Sequence, residues 1–135
     1  ELQAALLRVK LPHLPAWTAR RQTLARRYLD GLAGAPLGLP PWDPGCVWNQ
    51  FVVRVPGGRR DAIAASLAAT GIATAVYYPE PLHLQPCFAG LGYRAGALPE
   101  AERACAEALA LPLYPELAAD DVDRVVEAVR RAVAA

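Results

Sequence analysis

One serine, one lysine, two histidines and three cysteines make residues able to do chemistry scarce in these 135 residues. Ser66 lies in an alanine-rich helical run, without the sharp strand-to-helix turn that exposes a nucleophilic serine. Lys10 could condense with a carbonyl, but it stands between Val9 and Leu11 on a helix of surface type, where a lysine is solvated. His13, His83 and the cysteines Cys46, Cys87 and Cys105 include no pair at zinc-ligand spacing, and three cysteines build no disulfide framework. The stretch GLGYRAG around Gly90 follows no strand, so it is not a phosphate loop. By its residues alone the chain holds no catalytic centre and no metal site.

The segment from Tyr77 to Pro86, YYPEPLHLQP, is the exception. Two tyrosines, three prolines, His83 and Gln85 fall within ten residues, just past an expected strand end. The prolines restrict the backbone, which suits the segment to presenting side chains to a ligand. Tyrosine hydroxyls and an imidazole can donate to phosphate oxygens, and tyrosine rings can stack on a sugar or a base. Tyr78–Pro79 is a candidate for a cis peptide. The competing reading is a rigid structural loop whose tyrosines pack on the sheet.

The elements that would position this segment follow from apolar spacing. ELQAALLRVKL is amphipathic through Leu2, Ala5, Leu6 and Val9. It begins at Glu1 without a cap or turn, which leads us to expect a chain cut from something longer. Pro12 and Pro15 interrupt it, and Leu14, Trp17, Arg21, Leu24, Tyr28 and Leu32 resume a helical face up to Gly34. Residues 36–45 carry four prolines and two glycines and read as a loop. Val47 to Val55 alternates as a strand, with Val47, Asn49, Phe51, Val53 and Val55 on one face. Arg59–Thr70 predicts a helix with Ile63 and Leu67 inward and Gly71 closing it. Ile72–Val76 reads as a short buried strand, and Pro99 with Glu100 and Glu102 opens a helix to about Leu109. LALPLYP supplies a strand edge. A last helix carries Val122, Val125, Val126, Val129 and Val133. This order predicts an α/β fold, a small mixed or antiparallel sheet packed with helices, with opening helices over 1–34 and an α/β sandwich over 46–135.

Composition narrows the classes further. Apolar residues make up 54% of the chain and charged ones 20%, so the chain can build a core and is not of disordered type. No apolar run reaches the roughly 20 residues of a membrane helix. Fourteen basic against thirteen acidic residues leave a net charge of +1, with no field to attract nucleic acid or anionic lipid. The arginines of 20–27 read as a solvated face, with phosphate binding as the alternative. Cysteine usage fits a reducing, cytoplasmic compartment.

GIATAVYYPEPLHLQPCF closely resembles the loop of DegT/StrS-type nucleotide-sugar aminotransferases. The likeness extends along the chain: ELQAALLRVKLPHL resembles the family's helix opening its C-terminal part, VWNQFVVRV its first small-domain strand, and LGYRAGALPEAERACAEALALPLYPEL its stretch ending in LPLYP. The resemblance implies the small C-terminal domain of a fold type I enzyme that uses pyridoxal 5'-phosphate. It further implies a homodimer that moves an amino group, usually from glutamate, to a nucleotide-diphosphate keto sugar. The family's Schiff-base lysine and other cofactor ligands match no position here, and Lys10 is not their counterpart, so no cofactor-binding or catalytic residue is assigned. What carries over is the substrate side: Tyr77, Tyr78 and His83, with Gln85 and Asn49 as further candidates, binding and orienting the nucleotide sugar. Relatives with histidine in place of the cofactor lysine act as sugar dehydratases, which leaves that activity as an alternative. A non-catalytic α/β binding or dimerisation module is a second alternative.

Overall fold

The structure, a computed structural model, describes residues 1–135. Its centre is a two-stranded antiparallel sheet of β1 (Phe51–Arg54) and β2 (Ala108–Leu111), registered Phe51 to Leu111 and Arg54 to Ala108. Single bridges widen it on both sides, Gly38 to Arg54 beyond β1 and Ala75 to Ala110 beyond β2. Helices α2 (Leu14–Leu32), α3 (Arg60–Ala69) and α5 (Ala119–Ala134) cover it. The α/β fold with a small antiparallel sheet is the one expected from the sequence.

Helix α5 forms because its apolar residues recur at three and four, so Val122, Val125, Val129 and Val133 bury one stripe. Asp120 and Asp121 in its first turn and Arg131 in its last complement the helix dipole. Leu24, Tyr28 and Leu32 of α2 meet that stripe and the sheet in one core. Gly31 lets the two helices touch: a Cβ there would lie 2.9 Å from Val126 Cγ1. Tyr28 stacks on Phe51 at 4.8 Å between ring centroids, and its hydroxyl donates to the Pro112 carbonyl at 2.9 Å. Burial pushes the Tyr28 phenol well above its usual pKa.

Arginines fasten the ends of these elements. Arg130 donates to the carbonyls of Gly31 and Ala33, both at 2.7 Å, at the C-terminus of α2. Arg59 likewise takes Val133 and Ala132 at the end of α5. A forked guanidinium reaches two neighbouring carbonyls at once, which an ammonium does not. Arg27 pairs with Asp123 between α2 and α5, and Arg26 lies 3.8 Å over the Trp42 ring. The arginine-rich face of α2 is therefore largely engaged within the molecule.

Four sequence expectations change. The strand does not begin at Val47: Trp48 takes φ 49°, a left-handed turn rare for a bulky residue. That turn breaks the alternation, sending Trp48 inward and Val47 outward. Ile72–Val76 makes only the Ala75 bridge, because β2 ends at Leu111 and the next residue, Pro112, has no N–H to extend a ladder. All peptide bonds are trans, Tyr78–Pro79 included. Finally, α1 (Leu2–Lys10) and the 3-10 turn Leu11–His13 bury nothing, and the α2 face is closed only from Leu24 onward, with Leu14 exposed.

Candidate substrate-side site

After the Ala75 bridge the chain leaves the sheet and runs through two 3-10 turns, Leu82–Leu84 and Pro86–Leu91. Gly92, at φ 79°, ends the second turn and starts the return to α4 (Pro99–Glu107). An open groove of about 610 Å³ lies between this segment and α4. Its walls are mainly apolar and aromatic: Tyr78, Leu82, His83, Phe88, Tyr93 and Leu98 among them. That lining suits a ligand with a flat or apolar face and a few polar groups.

His83 is the buried polar residue of the groove, only 7% exposed. Its Nε2 lies 3.0 Å from Glu102 Oε1, and its ring meets Tyr93 edge-on at 6.0 Å. Glu102 also accepts the backbone N–H of Gly96 at 2.9 Å and of Leu98 at 3.3 Å. One carboxylate thus caps the start of α4, ties down the turn before it and holds the imidazole. These bonds, the Gly96 N–H first, keep the Glu102 carboxyl below the usual carboxylate range.

The five residues expected to meet substrate divide between two places. Tyr78 and His83 line the large groove. Tyr77 and Asn49 line a smaller one of about 290 Å³ with Thr74 and Tyr114, beside the open end of the sheet. Gln85 lines neither; it is half-buried and accepts a weak bond from the Cys87 thiol at 3.9 Å. Sequence reading missed Glu102, which looked like an ordinary acid in a first helical turn, because its partner lies 19 residues upstream. It also missed Tyr93 and Phe88 as groove walls, although the segment's aromatic density was a signal for both.

The residues present do not form a site for pyridoxal phosphate. No lysine lines either groove, and Lys10 stands exposed on α1 without a side-chain partner. The chemistry these grooves can perform is recognition: hydrogen bonding by Tyr78, His83, Tyr77 and Asn49, stacking by the aromatic rings, and exclusion of water by the apolar walls.

Comparison with known proteins extends this picture. The chain is 48% identical over 134 residues to a protein of Geobacillus stearothermophilus named pleiotropic regulatory protein, covering 96% of this chain and 36% of that one. It is 46% identical over 133 residues to the dTDP-3-amino-3,4,6-trideoxy-alpha-D-glucose transaminase of Streptomyces venezuelae, at 96% and 35% coverage. Its fold superposes on the crystal structure of S. venezuelae DesV with a TM-score of 0.89 and 45% identity, over 96% of this chain and 35% of that chain. It also superposes on NtdA of Bacillus subtilis with bound cofactor PMP, with a TM-score of 0.78 and 31% identity, over 88% and 29%. The chain thus spans about a third of the length of these relatives. The model of the DegT/DnrJ/EryC1/StrS aminotransferase family matches residues 1–130, nearly the whole chain, and the chain belongs to that family.

Proposed function

We propose that this chain is the small, C-terminal substrate-side domain of a pyridoxal-phosphate aminotransferase that moves an amino group from glutamate to a nucleotide-diphosphate keto sugar. Membership of an aminotransferase family and likeness to dTDP-amino-sugar transaminases support the reaction class. The observation that carries the reading is local: Tyr78 and His83 of YYPEPLHLQP wall one open groove with the Tyr93 ring.

The cofactor supplies the electron sink for amino transfer, and on this reading sequence outside the chain holds it. The chain's own residues bind and orient. The Tyr78 ring gives a face for the sugar or base and its hydroxyl a hydrogen bond. His83, held by Glu102, fixes the substrate's rotation in the groove. Tyr77 and Asn49, in the smaller cleft, reach another part of the substrate, and Gln85 supports the turn that carries His83. These roles lower the barrier through positioning rather than proton transfer. The bare apolar face of α1 (Leu2, Leu6, Val9) supports a covering surface, which on this reading the rest of the subunit or the second protomer of a homodimer provides.

The test uses the complete gene product with pyridoxal phosphate, glutamate and a nucleotide-diphosphate 3- or 4-keto sugar. Mass spectrometry should find the aminated sugar and 2-oxoglutarate in equal amounts. Loss of water from the sugar without amination would replace the reading by dehydration. Tyr78→Phe and His83→Ala should raise the KM for the sugar and leave the bound cofactor's absorbance intact. Loss of that absorbance in either variant would remove these residues from the substrate side.

A further inference from the structure

His83 is held so that only one ring nitrogen is available to a ligand. Nε2 meets Glu102 Oε1 at 3.0 Å. Glu102 accepts backbone N–H groups on both oxygens, from Gly96 to Oε1 and Oε2 and from Leu98 to Oε1. A carboxylate occupied in this way has no proton to give, so the hydrogen of the shared bond must belong to His83 Nε2. Nδ1 then has no partner among the protein's hydrogen bonds, and it is not among the enclosed polar atoms, of which Trp48 Nε1 alone goes unsatisfied. A 180° flip of the ring would put Cε1 where Nε2 meets Glu102 and so break that bond.

We infer that Glu102 is a positioning residue that fixes the His83 proton on Nε2 and so presents Nδ1 to the groove as a hydrogen-bond acceptor. An acceptor in that place selects the group opposite it. A diphosphate oxygen offers no proton at neutral pH and is disfavoured there, whereas a sugar hydroxyl can donate. His83 therefore reads a hydroxyl of the sugar, and the diphosphate is left to other groups. This inference rests on the substrate-side reading of the groove and sharpens it.

The device is tested in the complete gene product with its histidine rings labelled with nitrogen-15. The His83 signals are identified by their loss in His83→Asn. At neutral pH the unaltered protein should show a protonated Nε2 and a bare Nδ1, a test that needs no variant of Glu102. Glu102→Gln can turn an N–H toward the ring from the Oε1 place, which keeps an oxygen for Gly96 but gives up the Leu98 bond, so the tautomer should mix or reverse. In the same variant the KM for the nucleotide sugar should rise about tenfold, the value for one misdirected hydrogen bond, while kcat and the KM for glutamate hold within about twofold. The double variant Glu102→Gln, His83→Asn should be no worse than His83→Asn alone, because both changes remove one interaction. A His83 protonated on both nitrogens in the unaltered protein would overturn the inference. Additive effects in the double variant would do the same, since they would assign Glu102 only to capping α4. A tautomer that reverses with no change in sugar KM would leave the His83–Glu102 bond standing, and would refute both the positioning role and the reading of this groove as the substrate's place.

Discussion

The core and the groove segment use similar residues to opposite ends. In the core, Tyr28 and Phe51 stack face to face and are wholly enclosed, and the Tyr28 hydroxyl reaches a carbonyl. In residues 77–98, Tyr78 is 70% exposed, and Leu82, Leu91 and Tyr93 are also open to water. The core is held by interlocking apolar faces from α2, α5 and the sheet. The groove segment is held by prolines, two 3-10 turns and the bonds that converge on Glu102. A region that keeps its shape with so little burial can offer its apolar surface to something else.

Paired substitutions break this contrast most sharply. Phe51→Ala removes a fully buried ring from the junction of Tyr28 and Trp48, and should cost about 3–5 kcal/mol of stability in urea unfolding. Tyr78→Ala removes a ring of the same size from the groove and should change stability by less than about 0.5 kcal/mol. Its effect should instead appear as a raised KM for the sugar substrate. Equal losses of stability in the two variants would mean that the groove segment belongs to the core.

The arginine caps give a smaller effect on the core side alone. Arg130→Ala frees the carbonyls of Gly31 and Ala33 and should cost about 1 kcal/mol, at the low end for charged donors because the side chain is exposed. Arg130→Lys should recover at most half, since one ammonium cannot serve both carbonyls in that fork geometry. Full recovery by lysine would make the interaction one of charge with the helix dipole and not of geometry.

What the sequence disclosed follows the same division. Periodicity located α3 and α5 within a residue or two, because their buried faces are set by local spacing, as with Ile63 and Leu67 or Val122 to Val133, while Pro99 and the acids after it marked the start of α4. It misread Val47–Val55, where a single left-handed residue, Trp48, undoes the alternation, and no residue type at that position announces it. It identified His83 and Tyr78 as candidates from residue type and motif. It could not find Glu102, because a hydrogen bond across 19 residues depends on how two 3-10 turns fold back on a helix. Tyr77 and Asn49 fell into a separate cleft, a division that sequence neighbours such as Tyr77 and Tyr78 do not announce.

Acid offers the finest separation of the two regions, because each contains one carboxyl held below its usual pKa. Asp123 is lowered first by its hydrogen bond from Arg27, and Glu102 first by the Gly96 N–H. A carboxyl whose pKa is depressed by folding stabilises the folded state fully above the ordinary carboxylate range, near pH 4. That contribution is lost as pH falls through the lowered folded value. Both groups therefore predict a modest decline in the urea midpoint below about pH 4; Asp123 is exposed and Glu102 partly so, which keeps each share small. Salt should tell them apart. The Asp123 share depends on an exposed ion pair between α2 and α5 and should shrink in about 1 M salt, where the screening length is about 3 Å. The Glu102 share depends on short backbone bonds within the turn and should persist. Asp123→Asn should accordingly remove the salt-sensitive part of the acid decline, and Glu102→Gln the part that salt leaves. If salt abolished the whole decline, the turn at Gly96 would be held by charge and not by its hydrogen bonds, and the groove would lose the fixed carboxylate on which the orientation of His83 depends.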